Sequence, residues 1–284
     1  MNLSVKNISK RFGKITALDK VNLHCSKGEI VGLLGRNGAG KTTLFKILFG
    51  LVRADSGQVE LERSKHKALG GIIEKPGLYG YLNAYDNIKV FSRMQGLRLS
   101  NKDIELSLQR VGLPTGRTDR VQNYSMGMKQ RLGIAIALLN NPSYLVLDEP
   151  FSGLDPMGIK AISSLILDVV EKEEIGVLIA SHLVDQLSAI SDRIYVINNG
   201  EIINSGETQQ LIREHTTHYT LYASNIGSSE SLKNYQAEIF PNKAIIQLPE
   251  NKLVELLQEL QCENIEITSC VPVVNFKKLF DIKA

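Results

Sequence analysis

An α/β fold with a parallel sheet flanked by helices is predicted, because short apolar runs alternate with helical patterns along the chain. Gly28–Leu34 reads as a buried strand, and a helical pattern over Lys41–Phe49 follows it at once. Two further apolar strands, Tyr144–Leu147 and Gly176–Ala180, are separated by the helical stretch Gly158–Lys172. Strands that alternate with helices are typical of parallel sheets.

Two smaller units are predicted beside this core. The pattern turns mostly helical at about 76–139, which indicates a helical subdomain. After residue 215 the sequence pattern changes. Strands are predicted at 218–223, 244–248 and 265–271, and an amphipathic helix at 251–260. The sequence therefore predicts a large domain over 1–215 and a small α+β domain over 216–284.

The net charge of the chain gives no reason to expect a strongly charged partner. The 284 residues include 33 basic and 30 acidic side chains, a net charge of +3, which is too weak a bias to favour nucleic acid or an anionic membrane surface. A charged stretch at 62–67 lies between two short strand patterns within 57–73. Because no aromatic residue interleaves with its charges, a solvated hairpin tip is predicted there, and no nucleic-acid partner is expected.

No segment is apolar enough to cross a bilayer. The longest apolar run, Leu132–Leu139, is far shorter than the ~20 residues that a spanning helix needs. The N-terminus has no apolar core of a signal peptide.

The cysteines, Cys25, Cys262 and Cys270, have no paired spacing, which favours a reducing compartment over a disulfide framework. We expect a cytoplasmic chain that reaches a membrane only through a partner.

A phosphate-binding loop is the first motif that carries chemistry. The chain matches G-x-x-x-x-G-K-[ST] between the predicted strand and helix, at Gly35, Arg36, Asn37, Gly38, Ala39, Gly40, Lys41 and Thr42, with Thr43 next in the helix. Glycines let successive backbone N–H groups face phosphate oxygens, and the helix adds its positive N-terminal end. Lys41 would contact the β- and γ-phosphates, and Thr42 would ligate Mg²⁺. A mere connecting turn is the alternative, but the Lys-Thr pair favours a nucleotide site.

Two acids follow a second buried strand. Asp148 and Glu149 come directly after Tyr144–Leu147, at the strand end where open α/β sheets bind ligands. Asp148 is predicted to hold Mg²⁺, and Glu149 to orient and deprotonate the attacking water. A surface turn would give the same pattern, so this prediction depends on its pairing with the phosphate loop.

Residues Tyr124–Arg131 read Tyr-Ser-Met-Gly-Met-Lys-Gln-Arg and resemble the signature of ABC transporter ATPases, usually Leu-Ser-Gly-Gly-Gln followed by x-Gln-Arg. Locally, Ser125 is predicted to cap the helix Met128–Leu139, and plain capping is the alternative to a ligand role. The family resemblance implies that Ser125 and Gly127 bind the γ-phosphate held by the opposite subunit of a head-to-tail dimer. It also implies a P-loop NTPase fold of ABC type, with antiparallel β and helical subdomains, over 1 to about 215.

Further segments resemble the family in order. Phe12 matches the aromatic residue that stacks on adenine, although a buried core Phe is the rival interpretation. Asp155, in Ser152-Gly153-Leu154-Asp155, matches the segment that couples the two sites of the dimer. His182 matches the histidine that contacts the γ-phosphate and the catalytic acid, while a lone His after a strand is more often structural. The implied catalytic pair is Glu149 and His182.

Two departures from the family pattern indicate a particular subgroup of the family. Glu74 stands where a Gln is usual, which makes it a predicted third Mg²⁺ ligand with Thr42 and Asp148. Met126 and Met128 replace the usual Gly and Gln of the signature. Together with the C-terminal string at 275–280, these departures are similar to the ATPases of bacitracin exporters and lantibiotic immunity.

This resemblance implies an ATP- and Mg²⁺-dependent ATPase that powers export of a peptide antibiotic or similar amphiphile. Its implied partners are transmembrane permease subunits and a second ABC ATPase, identical or closely related, at the cytoplasmic face of the membrane. A soluble ABC ATPase that acts on ribosomes or DNA is the alternative, although those relatives usually have two modules or a long coiled coil. A GTPase is disfavoured because no Asn-Lys-x-Asp string occurs.

Overall fold

The computed structural model describes residues 2–61 and 68–274. The charged stretch at 62–67 and the string at 275–280 lie outside the described residues. The chain divides into two compact units, Met1–Gly206 and Glu207–Ala284. The boundary thus falls before the helix Thr208–His215, whereas the sequence predicted it after that helix.

In the first unit the strands are β1 (Asn2–Phe12), β2 (Ile15–Ser26), β3 (Ile30–Leu34), β4 (Ser56–Glu60), β5 (Leu69–Ile72), β6 (Tyr144–Asp148), β7 (Gly176–Ser181), β8 (Arg193–Asn198) and β9 (Glu201–Glu207). Its helices are α1 (Lys41–Leu48), α2 (Ala84–Met94), α3 (Asn101–Arg110), α4 (Met126–Ala137), α5 (Pro156–Glu173) and α6 (Val184–Ser188). Helices α2, α3 and α4 fall within the predicted helical subdomain.

The main sheet has the strand order β5-β6-β7-β3-β8-β9, and the pairs from β5 to β8 are parallel. Strands β3, β6 and β7 are buried along their whole length, as their continuous apolar sequences predict. Burial of each large aliphatic side chain contributes about 1.5–3 kcal/mol, so this core fixes the sheet firmly. Because parallel neighbours end at the same edge, the residues that follow β3, β6 and β7 meet there.

A second sheet, with the order β2-β1-β4, is antiparallel. The predicted hairpin within 57–73 is therefore wrong. Strand β4 pairs with β1, whereas β5 pairs in parallel with β6 in the main sheet. Strand β4 is mostly exposed and β5 mostly buried, which places them in different environments despite their closeness in sequence.

The second unit contains α7 (Thr208–His215), β10 (Thr216–Tyr222), α8 (Ser231–Asn234), β11 (Glu238–Ile239), β12 (Lys243–Ile246), α9 (Glu250–Cys262) and β13 (Ser269–Val274). Its antiparallel sheet has the order β11-β12-β10-β13 and a core of its own. The last strand begins at Ser269, later than predicted. Asn264 has a left-handed φ of 57° after α9, and Ile265 is buried in the core before the strand starts.

Within the described part of the chain, no helix is long and apolar enough to span a membrane.

Candidate active site

The phosphate loop connects β3 to α1 and depends on glycine at two tight points. Gly40 has a φ of 109°, and a β-carbon there would lie 2.6 Å from the carbonyl oxygen of Ala17. At Gly35 a β-carbon would lie 2.7 Å from Ile197. The backbone N–H of Gly35 donates to the carbonyl of Ser181 at the end of β7, 3.1 Å away. The loop is thereby held against the edge of the sheet.

Lys41 is the central cation of this edge and is only 5% exposed. Its Nζ donates to the carbonyl oxygens of Gly35, at 2.6 Å, and Arg36, at 3.2 Å. It also lies 3.2 Å from Oε1 of Glu149. A buried ammonium needs such partners, so Lys41 is held in the loop by contacts that phosphate oxygens can replace.

Thr42 and Asp148 form the second contact between the loop and β6. The Thr42 hydroxyl donates to Oδ2 of Asp148 at 2.7 Å. Burial raises the pKa of Asp148, and the nearby Glu149 raises it further, whereas the Thr42 hydroxyl lowers it. Among the described residues, Oδ1 of Asp148 is buried without a hydrogen-bond partner. An unpaired carboxylate oxygen beside a threonine hydroxyl is a donor set that fits Mg²⁺.

Glu149 adopts a left-handed backbone conformation, with a φ of 50°, directly after β6. Few non-glycine residues do so, and such strained positions cluster at functional sites. Its Oε2 lies 2.9 Å from Nδ1 of His182. The Ser181 hydroxyl donates to the same oxygen at 3.4 Å and accepts from the Leu183 N–H at 3.1 Å.

The structure thus brings Lys41, Thr42, Asp148, Glu149 and His182 together at one edge of the sheet. His182 contacts Glu149 directly, which argues against a purely structural histidine. Sequence reasoning missed Ser181, whose carbonyl holds the phosphate loop while its hydroxyl contacts Glu149. Its position immediately before His182 was the available signal.

Glu74 follows β5 and also has a left-handed φ, of 64°. Its backbone N–H lies near Asp148 and lowers the pKa of that carboxyl. Its own carboxylate is turned to Lys46, where Oε1 lies 2.8 Å from Nζ, and this contact lowers the pKa of Glu74. The side chain is 63% exposed. The predicted third metal ligand is therefore engaged by a lysine that sequence reasoning missed, although Lys46 lies one helical turn after Thr42.

The signature residues lie in a separate cleft. Ser125, Gly127 and Asp155 line a cavity of about 690 Å³, together with Met126 and Arg117. Ser125 caps α4 by accepting the Met128 N–H at 3.3 Å, so the helix begins at Met126, two residues earlier than predicted.

Asp155 performs the same capping for α5, because its Oδ1 accepts the Gly158 N–H at 2.8 Å. These two caps place the first turns of α4 and α5 around one opening.

Phe12 and the tip of the phosphate loop lie on the surface. Phe12 ends β1 and is 50% exposed, so the interpretation as a core residue is wrong. Lys10 lies over its ring, with Nζ 5.3 Å from the centroid. Arg36 and Asn37 are also exposed, while Thr43 is partly buried in α1.

Comparisons with known proteins agree with this geometry. The family described as "ABC transporter" matches residues 18–152. The ABC transporter ATP-binding protein YdbJ of Bacillus subtilis is 34% identical over 95% of this chain and 91% of its own length. The chain belongs to the ABC transporter ATP-binding family. The predicted resemblance is thereby confirmed, and the protein is an ABC ATPase.

Two relatives of this ABC ATPase carry more specific names. The bacitracin transport ATP-binding protein BcrA of Enterococcus faecalis is 37% identical over 74% of this chain and 70% of its own length. The lantibiotic transport ATP-binding protein SrtF of Streptococcus pyogenes is 43% identical over 71% of this chain and 89% of its own length. The predicted similarity to bacitracin and lantibiotic ATPases is confirmed.

A solved structure shows the same fold. The subunit cbiO1 from Clostridium perfringens, part of the ABC transporter complex cbiONQ, matches with a TM-score of 0.66 and 26% identity. The match covers 75% of this chain and 90% of that one. The predicted ABC-type P-loop fold is confirmed.

Proposed function

We propose that this ABC ATPase powers the export of a peptide antibiotic or similar amphiphile through separate transmembrane subunits, at the cytoplasmic face of the membrane. The names of BcrA and SrtF support the substrate class. The observation that carries the catalytic part is the cluster in which Glu149 contacts both Lys41 and His182 beside the Thr42–Asp148 pair. This cluster offers a cation, a base and oxygen ligands within one sheet edge.

ATP would bind with its β- and γ-phosphates in the loop, where Lys41 exchanges its carbonyl and Glu149 contacts for phosphate oxygens. Thr42 and Asp148 would hold Mg²⁺, which supplies countercharge to the phosphates when bound. Glu149, released from Lys41, orients the attacking water and accepts its proton at a carboxylate oxygen. His182 holds the other oxygen of Glu149 and thereby fixes the direction of the base.

Some of the remaining predicted ligands would act on the nucleotide of a second copy or a close relative, and others on the nucleotide of their own chain. Ser125 and Gly127, at the start of the twelve-residue helix α4, would bind the γ-phosphate held by the other subunit. Asp155 lines the same cleft and would connect the two sites. The exposed Phe12 would stack on adenine, and the backbone at 35–43 would enclose the phosphates, which includes the exposed Arg36 and Asn37.

Hydrolysis removes the phosphate bridge between the two subunits, so their separation can drive the permease between two access states. The region from Glu74 to about Gly96 would contact the permease, since the segment 69–79, at its start, resembles the loop that couples the ATPase to the permease in the ABC family.

The transport proposal is tested by purifying the tagged full chain from detergent-solubilised membranes. We expect a co-purifying protein with several apolar segments of ~20 residues, and ATPase activity of the complex that rises with bacitracin or a lantibiotic. Recovery of the chain with ribosomes instead, and without a membrane protein, would contradict the proposal and support the soluble alternative.

A further inference from the structure

The helix α1 presents two side chains, one turn apart, to two different acids. Thr42 and Lys46 are separated by four residues, so they lie on the same helix face. Thr42 donates to Asp148 at 2.7 Å, and Lys46 contacts Glu74 at 2.8 Å. The strands that carry these acids are parallel neighbours, with Ile72 opposite Leu147. The backbone of Glu74 therefore lies close to the edge that carries Asp148, but its carboxylate contacts Lys46.

The charges at this edge are paired in a specific way. Glu149 has Lys41 as its cation, and Glu74 has Lys46. Asp148 has only the Thr42 hydroxyl as a side-chain partner for one oxygen, and its other oxygen is unpartnered among the described residues. Asp148 is thus the carboxylate left for a divalent cation, while the negative charge of Glu74 is already compensated.

We propose that Lys46 is a positioning residue that holds the Glu74 carboxylate outside the Mg²⁺ site. The inference rests on the proposed function, because it concerns the same metal and nucleotide. With Lys46 in place, Glu74 adds neither a ligand nor an uncompensated charge beside the γ-phosphate. Without Lys46, Glu74 turns toward the cation, so nucleotide binding becomes more dependent on Mg²⁺.

The Mg²⁺ dependence of nucleotide affinity tests the proposal. Calorimetric titration with a non-hydrolysable ATP analogue gives one dissociation constant in EDTA and one in excess Mg²⁺. The quantity to compare is the dissociation constant in EDTA divided by that in Mg²⁺. We expect Lys46→Met to raise this ratio about tenfold, a typical coupling between two ligands. Lys46→Gln should do the same, while Lys46→Arg, which keeps the charge, should leave the ratio at the wild-type value.

The decisive comparison is the double variant. In Lys46→Met/Glu74→Ala the increase should disappear, because the side chain that would reach the cation has been removed. Lys172→Met is the matched control, since Lys172 is an exposed lysine ion-paired with Asp168 in α5. An unchanged ratio in Lys46→Met, or an increase that persists in the double variant, would overturn the proposal. Failure of the wild-type chain to bind the analogue would instead count against the proposed nucleotide site itself.

Discussion

The phosphate-loop edge and the signature cleft belong to the same unit but are built differently. At the loop edge, side chains far apart in sequence pair with one another: Lys41 forms an ion pair with Glu149, and the Thr42 hydroxyl donates to Asp148. In the cleft, the side-chain hydrogen bonds of Ser125 and Asp155 within the described residues are short-range and cap their own helices. On the proposed function, a nucleotide enters the first region by replacing the contacts of Lys41 with its phosphate oxygens. The second is a pair of helix starts, of the kind that accepts an anion brought from outside.

This difference indicates which step, nucleotide binding or hydrolysis, a single chain can carry out without a second copy. On the proposed function, the loop edge supplies a base, a cation and oxygen ligands, so we expect nucleotide binding without a second copy. The cleft would contribute N–H groups and a hydroxyl to a phosphate that another chain holds. We therefore expect mutations in the two regions to separate binding from turnover.

The largest effect is expected for Glu149→Gln. The amide keeps the shape and a contact with His182 but cannot accept a proton, so phosphate release should fall by about 10²–10⁴-fold. ATP binding should persist, because Lys41 loses a competing carboxylate. Phosphate release and calorimetric ATP binding by the purified variant measure the two quantities. Glu171→Gln, an exposed acid of α5, is the control, and near-normal phosphate release by Glu149→Gln would remove it from the catalytic role.

Ser125→Arg addresses the signature cleft. The long cation fills the opening near Gly127 and removes the hydroxyl, so we expect ATPase activity to fall by about 100-fold or more, as for loss of a phosphate-stabilising group. The isolated monomer should bind ATP as the wild type does. Ser125→Thr, which keeps a capping hydroxyl, should retain most of the activity. If Ser125→Arg loses ATP binding in the monomer, the cleft acts within its own chain, and the contrast between the two regions fails.

The two regions also differ in how far the sequence predicts them. The phosphate loop, Asp148, Glu149 and His182 lie at or directly after the ends of β3, β6 and β7, whose apolar runs are plain in the sequence, and parallel pairing brings these ends together. The direction of the Glu74 side chain was not predictable, because it depends on Lys46 across the site. The exposure of Phe12 was likewise undecided, since apolar strand ends occur both in cores and on surfaces.

The pairing of strands was the other feature that the sequence did not predict. The segments around 57–73 look like a hairpin in sequence, yet long-range pairing assigns β4 and β5 to different sheets. Register with distant strands decides this, and a single sequence does not display it.

The smallest expected effect concerns Asp148 and stability. Burial raises the pKa of Asp148 in the folded chain above its ordinary value, so the folded state binds that proton more tightly than the unfolded state. Stability is then lost as the pH rises through the folded pKa, and the cost of the buried charge is full at neutral pH. In EDTA, Asp148→Asn should raise Tm at pH 7 by about 2–4 °C, as expected for a gain near 1 kcal/mol.

This gain should shrink as the pH falls through the raised pKa and vanish below the ordinary aspartate value, because wild-type Asp148 is then neutral as well. Asp55→Asn is the opposing control: its hydrogen bond with Lys10 lowers the pKa of Asp55, so its carboxylate stabilises the fold above the ordinary pKa. Its replacement should lower Tm slightly at pH 7. Thermal unfolding of both variants between pH 4 and 8 measures the sign. A Tm decrease for Asp148→Asn at neutral pH would mean that the protein already compensates the charge of Asp148 without Mg²⁺. Asp148 would then not be the uncompensated carboxylate that the proposed metal site requires.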